Sequence, residues 1–209
     1  MELDRPIVLA TGNEGKIIEI QKMLAPFTAK IKSLKDFGPI PPVVEDGDTF
    51  EENAYKKAHF TAKVLGFPAL ADDSGLMVEA LGGEPGVHSA RYAGEGATDK
   101  ERNLKLSRAM EGVKDRKAVF ACVIAIAVPR GPALIYEGRC EGLIAHEAKG
   151  EKGFGYDPLF YYPPLKKTFG QMAMDEKNRI SHRGKALAEV RAELQKVMTW
   201  INQRLAEEP

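Results

Sequence analysis

The chain has little of what marks several protein classes. Only two of its 209 residues are cysteines, Cys122 and Cys140. No second pair completes a zinc site and both fall in predicted strands, so they read as core thiols in a reducing compartment rather than as a disulfide framework. An excess of one charge is also missing: 30 Lys and Arg face 30 Asp and Glu, for a formal net charge of zero. That balance argues against a protein that coats nucleic acid or an anionic membrane by bulk attraction, although it permits a local basic patch. No apolar run is long enough to cross a bilayer, and the longest, residues 118–128, reads as a buried strand. The opening residues Met1-Glu2-Leu3-Asp4-Arg5-Pro6 carry acids where a secretory signal would carry bases, so the expected location is the cytoplasm. No internal repeat and no low-complexity segment appears.

What remains is an ordinary globular composition, 44% hydrophobic and 29% charged, enough apolar residues to build a core without covalent staples. The order of local signals then indicates the fold class. Residues 6–11 form a short apolar strand, and a polar loop leads to a helix from near Lys16 with Ile17, Ile20, Met23 and Leu24 on one face. Residues 38–44 form a stiff, proline-rich connector. Thr49 and Glu52 make a capping box for a second helix reaching Leu65-Gly66. A strand at 68–71 ends at Asp72-Asp73-Ser74-Gly75, and Thr98 with Glu101 caps a third helix. A long hairpin follows, residues 117–128 and 133–145 around Pro129-Arg130-Gly131-Pro132. Leu187, Val190, Leu194, Val197, Met198, Ile201 and Leu205 then predict one amphipathic C-terminal helix. Strand–helix alternation with a long hairpin predicts an α/β or α+β protein with a mixed sheet, one unit over residues 1–209 with two lobes.

Five segments carry possible chemistry. Thr11-Gly12-Asn13-Glu14-Gly15-Lys16 lies at a strand-to-helix junction, where free helix N–H groups and Lys16 suit a phosphate. It lacks the spacing of a Walker A loop, and on this segment alone an ordinary polar turn is the better reading. Asp72-Asp73-Ser74-Gly75 offers two carboxylates at a strand end, for a metal or a proton transfer, or else simply a polar turn. In Glu45-Asp46-Gly47-Asp48-Thr49 most acids read as partners of the following helix dipole, with one or two left as metal ligands. Gly153-Phe154-Gly155-Tyr156-Asp157-Pro158 frees the Phe154 ring to stack on a flat heterocycle, and Asp157 is expected to present exposed acceptor oxygens. In Ser181-His182-Arg183-Gly184, Ser181 caps the last helix. His182 and Arg183 in its first turn oppose the helix dipole by up to about 1 kcal/mol, which calls for a carbonyl or phosphate partner.

Each of these motifs alone is ambiguous; together, in this order, they are not. With Phe50-Glu51-Glu52-Asn53-Ala54, Leu81-Gly82-Gly83 and Ser89-Ala90-Arg91-Tyr92, they make the chain resemble the inosine triphosphate pyrophosphatase family over nearly its whole length. The resemblance implies an elongated mixed β-sheet with flanking helices, two lobes around a central cleft, and a homodimer. It implies Mg2+-dependent hydrolysis of deaminated purine nucleoside triphosphates (ITP, dITP, XTP) to the monophosphate and pyrophosphate. Asp73 would be the general base and a metal carboxylate, with Glu45 the second. Thr11, Asn13 and Lys16, with the rest of their loop, Gly12, Glu14 and Gly15, would hold the triphosphate, joined by Lys57, Ser74 and Lys177. Phe154 would stack on the base beside Gly155 and Tyr156, while Asp157, His182 and Arg183 would read its edge. The competing expectations are a pyrophosphatase of other modified or pyrimidine triphosphates, and a regulator that binds a nucleotide without cleaving it.

Overall fold

The computed structural model describes residues 5–25 and 30–207. The acidic N-terminal residues 1–4, read above for a targeting signal, lie outside them. The elements are β1 (Ile7–Leu9), α1 (Glu14–Leu24), β2 (Ile31–Ser33), α2 (Phe50–Leu65), β3 (Ala69–Val78), α3 (Asp99–Ala109), β4 (Lys117–Ala127), β5 (Ala133–Ile144), β6 (Phe160–Tyr162), β7 (Lys167–Thr168), α4 (Met174–Asn178), α5 (His182–Ala192) and α6 (Leu194–Ala206). One seven-stranded sheet runs in the order β2-β1-β3-β4-β5-β6-β7. β1 is parallel to β2 and β3, whereas β6 is antiparallel to β5 and β7, so the sheet is mixed, as the alternation of signals predicts. No described helix is long and apolar enough to cross a membrane.

The chain divides into two compact units. The first comprises Met1–Asp73, Val123–Glu137 and Ala186–Pro209; the second comprises Ser74–Cys122 and Gly138–Lys185. In the first, Ala54, Ala58 and Ala62 step by four along α2 and pack on Val8, Ala10, Ala69, Ala71, Val123, Ala125 and Ala127. Small side chains on both surfaces let the helix backbone approach the sheet closely. α2 starts at Thr49, whose hydroxyl accepts the Glu52 N–H, and stops at Gly66, which supplies a left-handed φ of 71°. The expected capping box is half formed, because the Glu52 carboxylate accepts the N–H of Asp48 instead of Thr49. At Thr98 and Glu101 of α3 both halves are present.

The second unit packs larger side chains. Phe120, Phe160 and Phe169 form a ring cluster with centroids 4.6 to 5.8 Å apart, surrounded by Leu76, Val78, Leu106 and Met110. Cys140 is buried in that core and Cys122 is buried in β4, as their strand positions imply.

Two elements differ from the expectation. Strand β3 does not stop at Asp72; it continues through Asp72-Asp73-Ser74-Gly75 to Val78. Asp, Ser and Gly are turn formers when their polar groups lack distant partners, but here lysines and an arginine supply those partners, and the strand persists. The C-terminal helix is also two helices. Glu193, at φ −104° and ψ 9°, separates α5 from α6, which buries Val197, Met198 and Ile201. The apolar spacing survives the break because Glu193 N–H still donates to Glu189 and Val197 N–H still donates to Glu193.

Candidate active site

In the first unit, basic and acidic side chains are buried together. α2 carries Lys57 on the face that holds its alanine stripe, and β3 carries Asp72 and Asp73 at successive positions. Lys57 Nζ lies 2.7 Å from Asp73 Oδ1 and 2.9 Å from Glu45 Oε2, so one ammonium bridges both carboxylates. Lys16, from the first turn of α1, pairs with the fully buried carboxylate of Asp72. Burial pushes the Asp73 carboxyl above its ordinary value, against the pull of Lys57 and Lys16. Burial alone would lower Lys57, but Asp73 and Glu45 outweigh it and hold its ammonium above the usual value. The loop before α1 is ordered by its own side chains: Asn13 Oδ1 accepts the Lys16 N–H at 3.1 Å, and Asn13 N–H donates to Thr11 Oγ1 at 3.2 Å. Asn13 is therefore the helix cap, so α1 begins at Glu14 rather than near Lys16. Glu14 faces outward to Lys35 at 2.7 Å, away from the cluster that Lys57 organises. Gly12 is open to approach, since a Cβ there would meet nothing within 4 Å.

Glu45 and Asp73 also set what a metal would find. Among the described residues no group of three or more His, Cys, Asp or Glu side chains is gathered for one ion. Two carboxylates within 3 Å of one ammonium are nevertheless a donor set that fits a hard divalent cation, which takes its remaining oxygens from water and a ligand's phosphates.

In the second unit the Phe154 ring is flanked by cations. Lys177 Nζ lies 4.8 Å and Arg183 Cζ 5.5 Å from its centroid. Arg183, 2% exposed, donates from Nη2 to Ser74 Oγ at 2.9 Å. His182 stacks on Phe120, centroids 4.5 Å apart and ring planes nearly parallel. The α5 N-terminus reaches this place by close approach to α4: Gly184 N–H donates to Ser181 Oγ, and a Cβ at Gly184 would overlap the Asn178 carbonyl. Tyr156 is buried and donates to the Ser89 carbonyl at 2.9 Å.

One expectation is corrected here. The Asp157 carboxylate is not exposed: it is 2% exposed, with Oδ2 accepting from Lys177 Nζ at 2.5 Å and from Phe154 N–H at 3.0 Å. It turns inward because Gly153, at φ 75°, leaves the space that any Cβ there would take from it. Lys177, grouped above with the triphosphate ligands, has its ammonium on Asp157 and over the Phe154 ring. Sequence reasoning left Asp72 without a role. Strand alternation, which sends neighbouring side chains to opposite faces, is the signal that separates its partner Lys16 from that of Asp73.

The fold is thus that of an α/β mixed-sheet protein whose first unit holds buried acid–base clusters, a chemistry suited to phosphate, and whose second holds a cation-flanked ring, a chemistry suited to an aromatic group. The chain belongs to the Ham1 family, whose profile matches residues 7–193. It is 59% identical to the dITP/XTP pyrophosphatase of Desulfotalea psychrophila over 202 residues, 97% of this chain and 91% of that protein. It is 55% identical to the dITP/XTP pyrophosphatase of Thermus thermophilus over 183 residues, 87% of each chain. The solved HAM1 protein of Coxiella burnetii superposes with a TM-score of 0.84 at 45% identity, covering 94% of this chain and 99% of that one.

Proposed function

We propose that this protein hydrolyses deaminated purine nucleoside triphosphates (ITP, dITP and XTP) to the monophosphate and pyrophosphate, clearing them from the nucleotide pool. The observation that carries the reading is Lys57 joining Glu45 to Asp73, in a chain whose relatives are named dITP/XTP pyrophosphatases. Lys16 and Lys57, with the Thr11–Lys16 loop and Ser74, take the triphosphate charge, and Asp72 holds Lys16 for that task. Glu45 and Asp73 hold Mg2+, which supplies charge neutralisation to the phosphate oxygens when bound. Asp73 accepts the proton of a water that attacks the α-phosphorus in line as pyrophosphate leaves; a carboxyl raised by burial is the better base near neutral pH.

Phe154 stacks on the purine, and Arg183 and His182 donate to its 6-oxo group. A 6-amino group would face those donors with donors, a mismatch able to discriminate by about 10⁴-fold. Asp157 reads the base edge beside them, its carboxylate held in place where Oδ2 accepts from Lys177 and from the Phe154 N–H. Residues 1–209 work as one catalytic domain, as a homodimer in the cytoplasm.

The test is chromatography of products from ITP, XTP, GTP, ATP and dUTP with Mg2+ and with EDTA. IMP and pyrophosphate from ITP only with Mg2+, and little AMP or GMP, is the expected result. A preference for dUTP, or inosine diphosphate plus phosphate, would replace the substrate or the cleavage site. Binding of ITP without turnover would make the protein a regulator.

A further inference from the structure

The segment that carries Phe154 is gripped from outside by two side chains for which the reaction as proposed has no use. Gly155 N–H donates to Asp99 Oδ2 at 2.7 Å, and the Gly155 carbonyl accepts from Asn103 Nδ2 at 2.8 Å. Asp99 and Asn103 are four residues apart on α3, so one helix face presents an acceptor and a donor to the two peptide groups of one glycine. Both side chains are themselves locked. The other Asp99 oxygen pairs with Arg102, whose guanidinium also donates to the carbonyls of Ala90 and Ala97. Asn103 Nδ2 also donates to the Asp99 carbonyl at 2.7 Å, so a flipped amide would set its oxygen against two carbonyls.

The fold accepts a cost for this arrangement, because Asn103 Oδ1 is buried without a hydrogen-bond partner. Native structures seldom leave such an atom unsatisfied, and they do so most often where a site demands a fixed geometry. Gly155 sits at a left-handed φ of 62° between the Phe154 ring and the buried Tyr156, so its two peptide groups set the direction in which Phe154 leaves the backbone.

We propose that Asp99 and Asn103 are positioning residues that hold Gly155, and through it the Phe154 ring, in the orientation that receives a purine base. This rests on the reading of Phe154 as the stacking residue. The clamp acts before any ligand arrives, so its loss lowers nucleotide affinity while the phosphate chemistry on β3 continues.

The experiment pairs hydrogen exchange of the free protein with steady-state kinetics on ITP, for Asp99→Ala, Asn103→Ala, Asp99→Asn and Phe154→Ala. In the two alanine clamp variants the Gly155 amide should exchange at least about tenfold faster, with β4 amides unchanged. KM for ITP should rise about tenfold with kcat within about twofold of the parent. Asp99→Asn keeps an acceptor for Gly155 N–H and should restore both readings. Unchanged exchange in both alanine variants overturns the clamp itself. Faster exchange with an unchanged KM, while Phe154→Ala raises KM, overturns the positioning role alone. An unchanged KM in Phe154→Ala sinks the stacking reading, and the positioning role with it.

Discussion

Arg183 Nη2 donates to Ser74 Oγ at 2.9 Å across 109 positions of sequence, and Ser74 is the residue after Asp73. The guanidinium is almost wholly buried and also flanks the Phe154 ring, so one side chain meets the proposed stacking aromatic and the strand that carries the proposed base. A planar fork does both, since it can donate along its edge while presenting a face to a ring.

Replacing that fork by a point charge separates the two tasks. Arg183→Lys should fold, because it keeps the charge, yet lose the directed donors that read a 6-oxo group. Its kcat/KM ratio for ITP over ATP should fall by roughly one to two orders of magnitude, measured by pyrophosphate release. A ratio equal to the parent's would place selectivity elsewhere.

Asp73→Asn removes the proton acceptor while keeping shape. Turnover of ITP should drop by about 10²- to 10⁴-fold, with the nucleotide Kd from calorimetry changed far less. Loss of binding in proportion to turnover would argue that Asp73 serves only to hold the nucleotide.

Arg116 should matter for stability alone. Its guanidinium donates to the carbonyls of Ile144, Met110, Val113 and Ala145, tying the end of α3 to the end of β5. Arg116→Ala leaves those acceptors without their charged donor and should cost about 2–3 kcal/mol in chemical denaturation. Selectivity among nucleotides should not change in the folded variant.

Alkaline pH should loosen the fold through two core groups. Burial raises the Cys140 thiol from 9.0 to about 11, and burial with Glu193 and Glu189 raises Tyr136 from 10.0 to about 12. Each holds its proton more tightly folded than unfolded, so their contribution is complete below about pH 9 and is lost as pH climbs through 11 to 12. Thermal unfolding between pH 8 and 11 should show a falling Tm, and Cys140→Ala with Tyr136→Phe should flatten that slope. An identical slope in the double variant would assign the effect to other groups.

Much of the fold is written locally. The Thr98–Glu101 box, the Gly66 stop, the apolar run of β4 and the spacing of Val197, Met198 and Ile201 are short-range patterns, and each marks an element of the type it predicts, although the last spacing runs across a break at Glu193. The family motifs likewise singled out the buried residues Asp73, His182 and Arg183, and the wider resemblance the buried Lys57. What the linear pattern could not carry is which partner each charge would meet. Asp72-Asp73-Ser74-Gly75 has the composition of a turn, and only Lys16, Lys57 and Arg183, brought from other elements, make it the middle of a buried strand. The same holds for Asp157, turned inward to Lys177, and for Asn103, whose two bonds to Asp99 and Gly155 have no signature along the chain. Local periodicity determines where elements form because it depends on neighbours a few residues apart. The state of a buried charge depends on desolvation and on partners tens of residues away, which only the tertiary structure supplies.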